Sequence, residues 1–522
     1  MNLNRFLNQP SVVQNTRLIL FSLLFLFSFL QFYKPLEMED GWWHLATARW
    51  IVSHRAVPHE DIFPLNGEPA ARWTYTQALG SLILYEVNAL TGDEGLRLLR
   101  ALFFAGLILL YVCFAQRRIP WPLAVALSLF LVHGLAPRGL LRPLIFNFLF
   151  IQVFLIRLSA YRKNGQWREL AILAALGIVW NNIHLGSFVY GYATVGIAWI
   201  AAVLETLLPK LREGGERNIA RKQARDLGGL CLAFTAILFL NPYGIEGALY
   251  PFRVFFQSDY IYFYQFKRVV EEMLPPVVLL KQPGGIPFVV LFLFTAGILL
   301  ARWRGNLFWV LLFVYATGIF VSGVQGCGFF AVVGVYAFTA GLQELSVLWK
   351  NFPGSRFEQY LISFGGLMIV LLAVRIGGLL TQTSPYDGPR VSIYRQTYEV
   401  PNPVAAVRFL KERGIRGKVF NDERFGGYLL WKGYPALQPF VDGRQLYPER
   451  FFDHYNAVLN DPQRYWPRLA QRFGFSVVLL GKDLPLTAKL LDYLRTQSEW
   501  SVLFSDESCV VFTKRVVEVQ FD

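Results

Sequence analysis

Long apolar runs follow one another along the first 375 residues of the chain, separated by shorter polar segments. About 20 consecutive apolar residues suffice for a helix to cross a bilayer. The pattern therefore predicts an α-helical polytopic membrane bundle of about eleven spans. The predicted spans are 16–34, 97–115, 119–135, 143–157, 169–184, 187–207, 227–240, 286–302, 307–324, 328–344 and 358–375. The first run is longer than a signal-peptide core and is expected to remain as an anchor.

A further segment, 74–90, has the periodicity of a helix but carries Gln77, Glu86 and Asn88. A carboxylate at the bilayer centre costs roughly 2.5–3.5 kcal/mol on insertion scales. Counting this segment as a span would also place the densest basic loop outside the membrane. We therefore expect residues 74–90 to form a helix at the outer membrane boundary.

Lysine and arginine residues mark the orientation, because short cytoplasmic loops carry an excess of them. With a cytoplasmic N-terminus, nearly all the short basic loops fall on one side: 117–118, 162–168, 210–225, 302–304 and 350–356. Three larger regions then lie outside, namely the first outer loop 35–96, the segment 241–285 and everything after about residue 376. The predicted topology is multi-pass, with the N-terminus in the cytoplasm and the C-terminal portion outside.

The C-terminal portion changes character after a polar linker, predicted at 377–400. Residues 401–522 alternate between helical and strand patterns, which is typical of a small α/β domain. Strands are predicted at 418–422, 439–444, 476–481, 500–505 and 509–515, and helices at 403–414, 448–459, 464–473 and 484–496. The predicted organisation is a membrane domain, 1–376, followed by an extracytoplasmic α/β domain, 401–522.

The composition supports a membrane protein and argues against a protein that binds nucleic acid or is held together by disulfides. Hydrophobic residues make up 54% of the 522 residues and charged residues only 16%, against about 25% charged residues in soluble proteins. The net charge of +14 is interpreted as membrane orientation, and no module for binding nucleic acid is present. The four cysteines have neither metal-ligand spacing nor enough members for a disulfide framework.

The first outer loop carries the strongest candidate chemistry. Glu39 and Asp40 follow the first span by a few residues, and a second acidic pair, Glu60 and Asp61, comes later in the loop. Three aromatic residues adjoin the first pair: Trp42, Trp43 and His44. One interpretation is an interfacial helix, since tryptophan favours that depth. The other is a catalytic carboxylate that deprotonates an acceptor hydroxyl or holds a divalent cation.

The loop D-G-W-W-H-L-A-T-A-R-W-I…P-H-E-D-I-F-P resembles the GT-C superfamily of membrane glycosyltransferases, and most closely a bacterial GT-C-like family with a C-terminal soluble domain. The later stretches WNNIHLGSFVYG, LNPYG, FNDERFGGYLLW and FVDGR resemble that family in the same order. The resemblance implies transfer of a sugar from a polyprenyl-phosphate donor to a lipid, glycan or protein hydroxyl on the outer face.

Carried over by position, the catalytic acid of the superfamily falls on Asp40 or Glu39, and Asp61 matches the second acid of the loop. Two positions depart from the pattern, since Ala48 replaces a glycine and Pro64 replaces a serine. The segment VQGCGFF also lacks the arginine expected before the tenth span, which removes a phosphate ligand from that position.

Polar residues elsewhere complete the predicted site. Arg138 and Arg142 lie in a short outer loop against the charge rule, and their guanidinium groups suit a phosphate. The alternative explanation is that they pair with acids of the first loop or with lipid headgroups. Asn182 and His184 end the fifth span, where they either line a sugar site or cap the helix. Trp42, Trp43 and His44 are expected to bind substrate.

The sequence leaves alternatives open for the metal cofactor and for the functional class of the protein. A divalent cation, Mg²⁺ or Mn²⁺, is left open, with Asp40 and Glu39 as its ligands. The chain has no P-loop, no G-x-G-x-x-G and no acidic motif typical of nucleotide-sugar enzymes. In the distinctive string FVDGR, Asp442 and Arg444 form either a ligand site or a turn held by an ion pair. The alternative function is a non-enzymatic scaffold or a transporter of envelope glycan or lipid.

Overall fold

The computed structural model of the chain describes residues 10–36, 39–64, 71–208, 216–256, 275–281, 283–301, 303–345, 354–381, 402–444, 446, 451–482 and 485–514. Most of the predicted linker 377–400 lies outside these residues, and so does the side chain of Glu39. The chain divides into two compact units. The first unit contains Met1–Pro35, Leu90–Gly139 and Leu144–Thr397; the second contains Leu36–Ala89, Leu140–Pro143 and Tyr398–Asp522.

Helices dominate the chain up to residue 381. In chain order they are α1 Pro10–Phe32, α2 Glu39–His54, α3 Ala78–Ala115, α4 Trp121–Leu135, α5 Phe146–Asn164, α6 Trp167–Ile183, α7 Leu185–Leu207, α8 Glu216–Ile237, α9 Ile245–Phe256, α10 Val277–Leu280, α11 Ile286–Ala301, α12 Leu307–Ser322, α13 Cys327–Glu344 and α14 Gly354–Thr381. A helix thus occurs at each of the predicted spans.

Within the described residues, seven helices are long and apolar enough to cross a membrane, and α11 and α12 are shorter apolar helices. The seven are Ser11–Phe32, Ala78–Ala115, Trp121–Arg138, Pro143–Asn164, Leu185–Leu207, Val324–Glu344 and Gln359–Thr381. The mostly helical membrane architecture is confirmed, while the number of about eleven spans stays a prediction. Helix α8 shows why the count differs, since its first half is strongly charged.

Large aromatic side chains fill the interior of the first unit. Trp180 of α6 is fully buried and meets Phe154 of α5 edge-on, with ring centroids 5.1 Å apart. Phe234 of α8 joins the same cluster at 5.9 Å from Phe154. The indole nitrogen of Trp180 donates to Asn147 Oδ1 at 2.8 Å, so the polar atom of this buried ring is satisfied.

Helix α3 contains a kink at Gly92, where φ is 68° and ψ is −168°. This backbone conformation is accessible essentially only to glycine, and a side chain there costs about 1–3 kcal/mol. The kink separates residues 78–91 from the apolar stretch 93–115. Residues 78–90 of the predicted segment 74–90 are therefore helical, while their location at the outer membrane boundary stays a prediction.

Replacing Gly92 by alanine is expected to destabilise the protein, because a residue with a β-carbon is strained in this backbone conformation even though the added methyl meets no neighbour within 4 Å. Gly106 lies in the same helix with equally open surroundings, and Gly106→Ala should be neutral or stabilising, since alanine favours a helix by about 1 kcal/mol. Thermal unfolding of the two purified variants in detergent measures the difference. Equal midpoints would show that the kink needs no glycine.

The C-terminal part of the second unit contains a five-stranded sheet in the order β2-β1-β3-β5-β4. Its elements are α15 Val404–Glu412, β1 Gly417–Asn421, α16 Glu423–Tyr428, β2 Leu437–Pro439, α17 Phe451–Asn460, α18 Pro462–Phe473, β3 Val477–Gly481, α19 Pro485–Thr496, β4 Trp500–Ser505 and β5 Cys509–Lys514. Strands β1, β2 and β3 are parallel, whereas β5 runs antiparallel to β3 and β4. Buried Phe420, Trp466 and Phe475 lie in one hydrophobic core.

The second strand differs from its prediction at 439–444. It spans Leu437–Pro439, and beyond Phe440 the side chain of Asn421 pairs with the backbone of Val441, accepting its N–H at 3.3 Å and donating to its carbonyl oxygen at 2.8 Å. Asp442 then accepts the N–H of Arg444 at 2.8 Å, which closes a turn. The residues of FVDGR therefore leave the sheet and form a turn at its edge.

Candidate functional site

Two similar turns follow the parallel strands β1 and β2. Asp422 pairs with Arg424 after β1, and Asp442 pairs with Arg444 after β2. Because parallel strands end on the same edge of a sheet, both turns lie at the carboxyl edge. Ligands of open α/β sheets bind in the crevice outside that edge.

The second turn forms the centre of a buried ion cluster. Arg444 is paired with Asp442 at 2.9 Å and with Asp61 of the first loop, and it also donates to the carbonyl oxygen of Phe63 at 3.3 Å. The guanidinium carbon lies 5.0 Å from the ring centre of Phe63 and 5.6 Å from that of Trp73. Only 2% of the Arg444 side chain is exposed. The first loop and the C-terminal domain are therefore parts of one folded unit.

Asp40 is the second residue of α2 and contacts the same turn. Its side chain is 34% exposed and pairs with Arg142 at 2.7 Å. The indole nitrogen of Trp43 donates to Asp40 Oδ1 at 3.2 Å. A β-carbon at Gly443 would lie 2.6 Å from the same oxygen. A half-exposed carboxylate is thus held between an arginine, an indole and the backbone of the C-terminal domain.

The neighbouring aromatic residues of α2 fix this helix. Trp42 is buried, and its indole nitrogen donates to Asn402 Oδ1 at 2.8 Å. His44 is also buried, with its Nδ1 atom 2.7 Å from the hydroxyl of Tyr75. The indole nitrogen of Trp42 and the Nδ1 atom of His44 thus have protein partners, whereas the indole nitrogen of Trp43 is bonded to Asp40.

Arg49 attaches the same helix to the C-terminal domain from another side. Its guanidinium donates to the carbonyl oxygens of Trp431 at 3.0 Å and Leu430 at 3.2 Å, and it lies 4.8 Å from the Trp431 ring. Burial lowers the pKa of Arg49 from its usual value. The carbonyl oxygens and the ring replace part of the hydration that burial removes.

A cavity of about 550 Å³ lies along the first loop. It is lined by Trp50, Pro58, His59, Glu60, Asp61, Ile62 and Arg72. Its walls combine an aromatic ring with carboxylates and a guanidinium, and Asp61 belongs to both the cavity and the Arg444 cluster. A polar ligand could therefore reach the cluster from this cavity.

The other predicted site residues belong to the first unit. Arg138 is buried in the short helical turn after α4. Asn182 donates to the carbonyl oxygens of Ile178 at 2.9 Å and Leu240 at 2.8 Å. His184 caps α7 by accepting the N–H of Ser187 at 3.2 Å. The contacts of Asn182 and His184 stabilise helix ends, whereas Asp40, Asp61 and Arg142 lie in the second unit.

The described residues do not offer a conventional cation site. Nowhere in this part of the chain do three or more His, Cys, Asp or Glu side chains form a group that could hold a metal ion. The carboxylate of Asp40 already pairs with Arg142 and accepts a hydrogen bond from Trp43. The side chain of Glu39, the other proposed ligand, lies outside the described part of the chain.

Sequence reasoning did not include Gly443 among the site residues and left Asp442 and Arg444 between two interpretations. The string FVDGR was a usable signal, because a glycine between two opposite charges predicts a tight turn. The partner of that turn, Asp61, lies 383 positions away in the chain, and no local pattern connects the two.

Comparisons with known proteins identify the fold. No family model and no curated protein matches the chain. Among solved structures, the archaeal oligosaccharyltransferase AglB from Archaeoglobus fulgidus, in complex with an inhibitory peptide and a dolichol-phosphate, is similar with a TM-score of 0.56 and 12% identity, covering 90% of this chain and 69% of that one.

Two further structures of the Archaeoglobus fulgidus oligosaccharyltransferase are also similar. The apo form has a TM-score of 0.56 at 13% identity, covering 98% of this chain and 74% of that one. The form tethered to an acceptor peptide with the NVT sequon has a TM-score of 0.53 at 12% identity, covering 97% and 74%. At such low identity the likeness shows the fold alone: this chain has the fold of the archaeal oligosaccharyltransferase structures, which agrees with the resemblance inferred from the first loop.

Proposed function

We propose that this protein is a membrane glycosyltransferase of GT-C type that moves a sugar from a polyprenyl-phosphate donor to an acceptor hydroxyl on the outer face of the membrane. The observation that carries the proposal is the setting of Asp40. Its carboxylate is partly exposed, lies at the start of α2, and is held by Arg142 at 2.7 Å.

The proposed reaction uses these two side chains in different ways. Asp40 accepts the proton of the acceptor hydroxyl while the hydroxyl oxygen forms a bond to the anomeric carbon of the sugar. The bond between that carbon and the phosphate oxygen breaks, and the phosphate leaves with the electron pair. Arg142 stabilises the charge on the phosphate, because a guanidinium binds phosphate oxygens in a bidentate manner.

The proposed partners are a lipid-phosphate sugar donor and an acceptor that carries a hydroxyl group. The archaeal structures contain a dolichol-phosphate in one case and an acceptor peptide in another, which supports a lipid-phosphate donor here. The cavity of about 550 Å³ beside Asp61 has room for part of an acceptor, and its aromatic and charged walls suit a glycan or a peptide. The proposed acceptor is a hydroxyl group of a lipid, a glycan or a protein.

The direct test is transfer by the purified full-length protein. It is incubated with a panel of polyprenyl-phosphate sugars and candidate acceptors, and the released polyprenyl phosphate is measured with and without a chelator of divalent cations. Release that depends on the acceptor supports the proposal, and its loss with the chelator would indicate a cation. No release across the panel would favour the non-enzymatic scaffold or transporter.

The proposed location is the bacterial inner membrane, with the first loop and the C-terminal domain outside. Cysteine introduced at exposed Glu60 or at Asp492 should react with an impermeant maleimide in intact cells, whereas cysteine at Arg117 should react only after lysis. In the background protein, Cys113 and Cys231 are replaced by serine, because Cys327 and Cys509 are buried. Burial also raises the pKa of the Cys509 thiol to about 12, which keeps it unreactive. Opposite accessibility at positions 60 and 492 would overturn this topology.

A further inference from the structure

We propose that the turn Asp442–Gly443–Arg444 of the C-terminal domain positions the carboxylate of Asp40. The inference rests on the proposed function and assigns the C-terminal domain a part in it. The turn supplies a place for the carboxylate, while Asp40 alone of these residues would touch the acceptor.

Gly443 is required for space and not for backbone conformation. Among the described glycines, those with left-handed φ are Gly92, Gly165, Gly244, Gly414, Gly417 and Gly474, so Gly443 adopts a conformation open to other residues. A β-carbon there would nevertheless lie 2.6 Å from Asp40 Oδ1 and 3.4 Å from the indole nitrogen of Trp43. The absence of a side chain at this position lets Asp40 lie directly against the turn.

Asp40 has little freedom to avoid an added methyl group. Its side chain is short, and its other oxygen is paired with Arg142 at 2.7 Å. Trp43, which donates to the crowded oxygen, lies one helical turn further along α2. A methyl on residue 443 would therefore displace the carboxylate or break its contacts.

The turn itself is held firmly, so the displacement falls on Asp40. Arg444 is almost fully buried and is paired with both Asp442 and Asp61. Through Asp61, the same arginine connects the turn to the first loop, whose helix α2 carries Asp40. The turn and the first loop therefore both fix the position of the Asp40 carboxylate.

The test is Gly443→Ala in the full-length protein, assayed for sugar transfer. Misplacing a reacting group by about 1 Å can cost about 10²-fold in rate, so we expect kcat to fall by about that factor while KM for the donor changes little. Gly366→Ala is the control, since a methyl at that position meets nothing within 4 Å. Unchanged kcat in Gly443→Ala would overturn the proposal.

A double-variant cycle separates positioning from general damage and does not require activity. Gly443→Ala should lower the unfolding midpoint of the wild type, and this loss should shrink when Asp40→Ala has removed the crowded oxygen. Equal losses in both backgrounds would show that Gly443 does not act through Asp40 and would overturn the proposal. If the loss caused by Gly443→Ala depends on Asp40 but the wild type transfers no sugar, the contact between Gly443 and Asp40 is supported and the proposed function is contradicted.

Discussion

Asp40→Asn is expected to lower the rate of sugar transfer by about 10²–10⁴-fold, the usual contribution of a general base. Asparagine has nearly the same shape as aspartate, and its one side-chain oxygen can still accept a hydrogen bond from Arg142 or from Trp43, but it cannot take up the proton of an acceptor hydroxyl. Because Asp40 is 34% exposed and Arg142 is 15% exposed, water can reach the arginine that loses its charged partner. The fold should therefore persist.

The measurement is transfer from a purified polyprenyl-phosphate sugar, wild type against Asp40→Asn, with thermal unfolding of both proteins. Asp461→Asn is a matched control, because Asp461 caps α18 and asparagine caps a helix about as well. The control should keep full activity and stability. Equal transfer by wild type and Asp40→Asn would remove Asp40 from the mechanism.

Arg444→Ala is expected to destabilise the protein by about 3–5 kcal/mol, the cost of removing one partner from a buried ion pair. The substitution leaves two buried carboxylates facing each other, since the side chain of Asp442 is 3% exposed and that of Asp61 is 10% exposed. The packing of the guanidinium against Phe63 and Trp73 is lost as well.

Denaturation of the full-length protein in detergent measures the loss, with Arg495→Ala for comparison. Arg495 pairs with Asp492 at 3.0 Å, but the two side chains are 53% and 75% exposed, and such a pair contributes about 0–1 kcal/mol. A large loss for residue 444 and almost none for residue 495 is the expected result. Similar losses for both would mean that the Arg444 cluster is not a stabilising contact.

The sequence predicted much of this architecture because its signals are local. Apolar runs of span length predicted helices at the observed positions, since a helix in lipid satisfies its backbone hydrogen bonds within the segment. The alternation after residue 401 predicted an α/β domain, and four of its five strands lie where expected. The second strand was misplaced, because from residue 441 the backbone pairs with the side chain of Asn421 and no longer with a neighbouring strand.

For the candidate site, the sequence by itself determined which charged residues belong to the loops that are predicted to lie outside the membrane, Asp40, Asp61 and Arg142 among them. Only the tertiary structure decided that Asp40 pairs with Arg142, that Asp61 pairs with Arg444, and that Gly443 lies against Asp40. The physical reason is separation along the chain. Ion pairs and close backbone contacts depend on distances in space between segments hundreds of residues apart, and the periodicity of hydrophobic and polar positions records only which face of its own element each residue occupies.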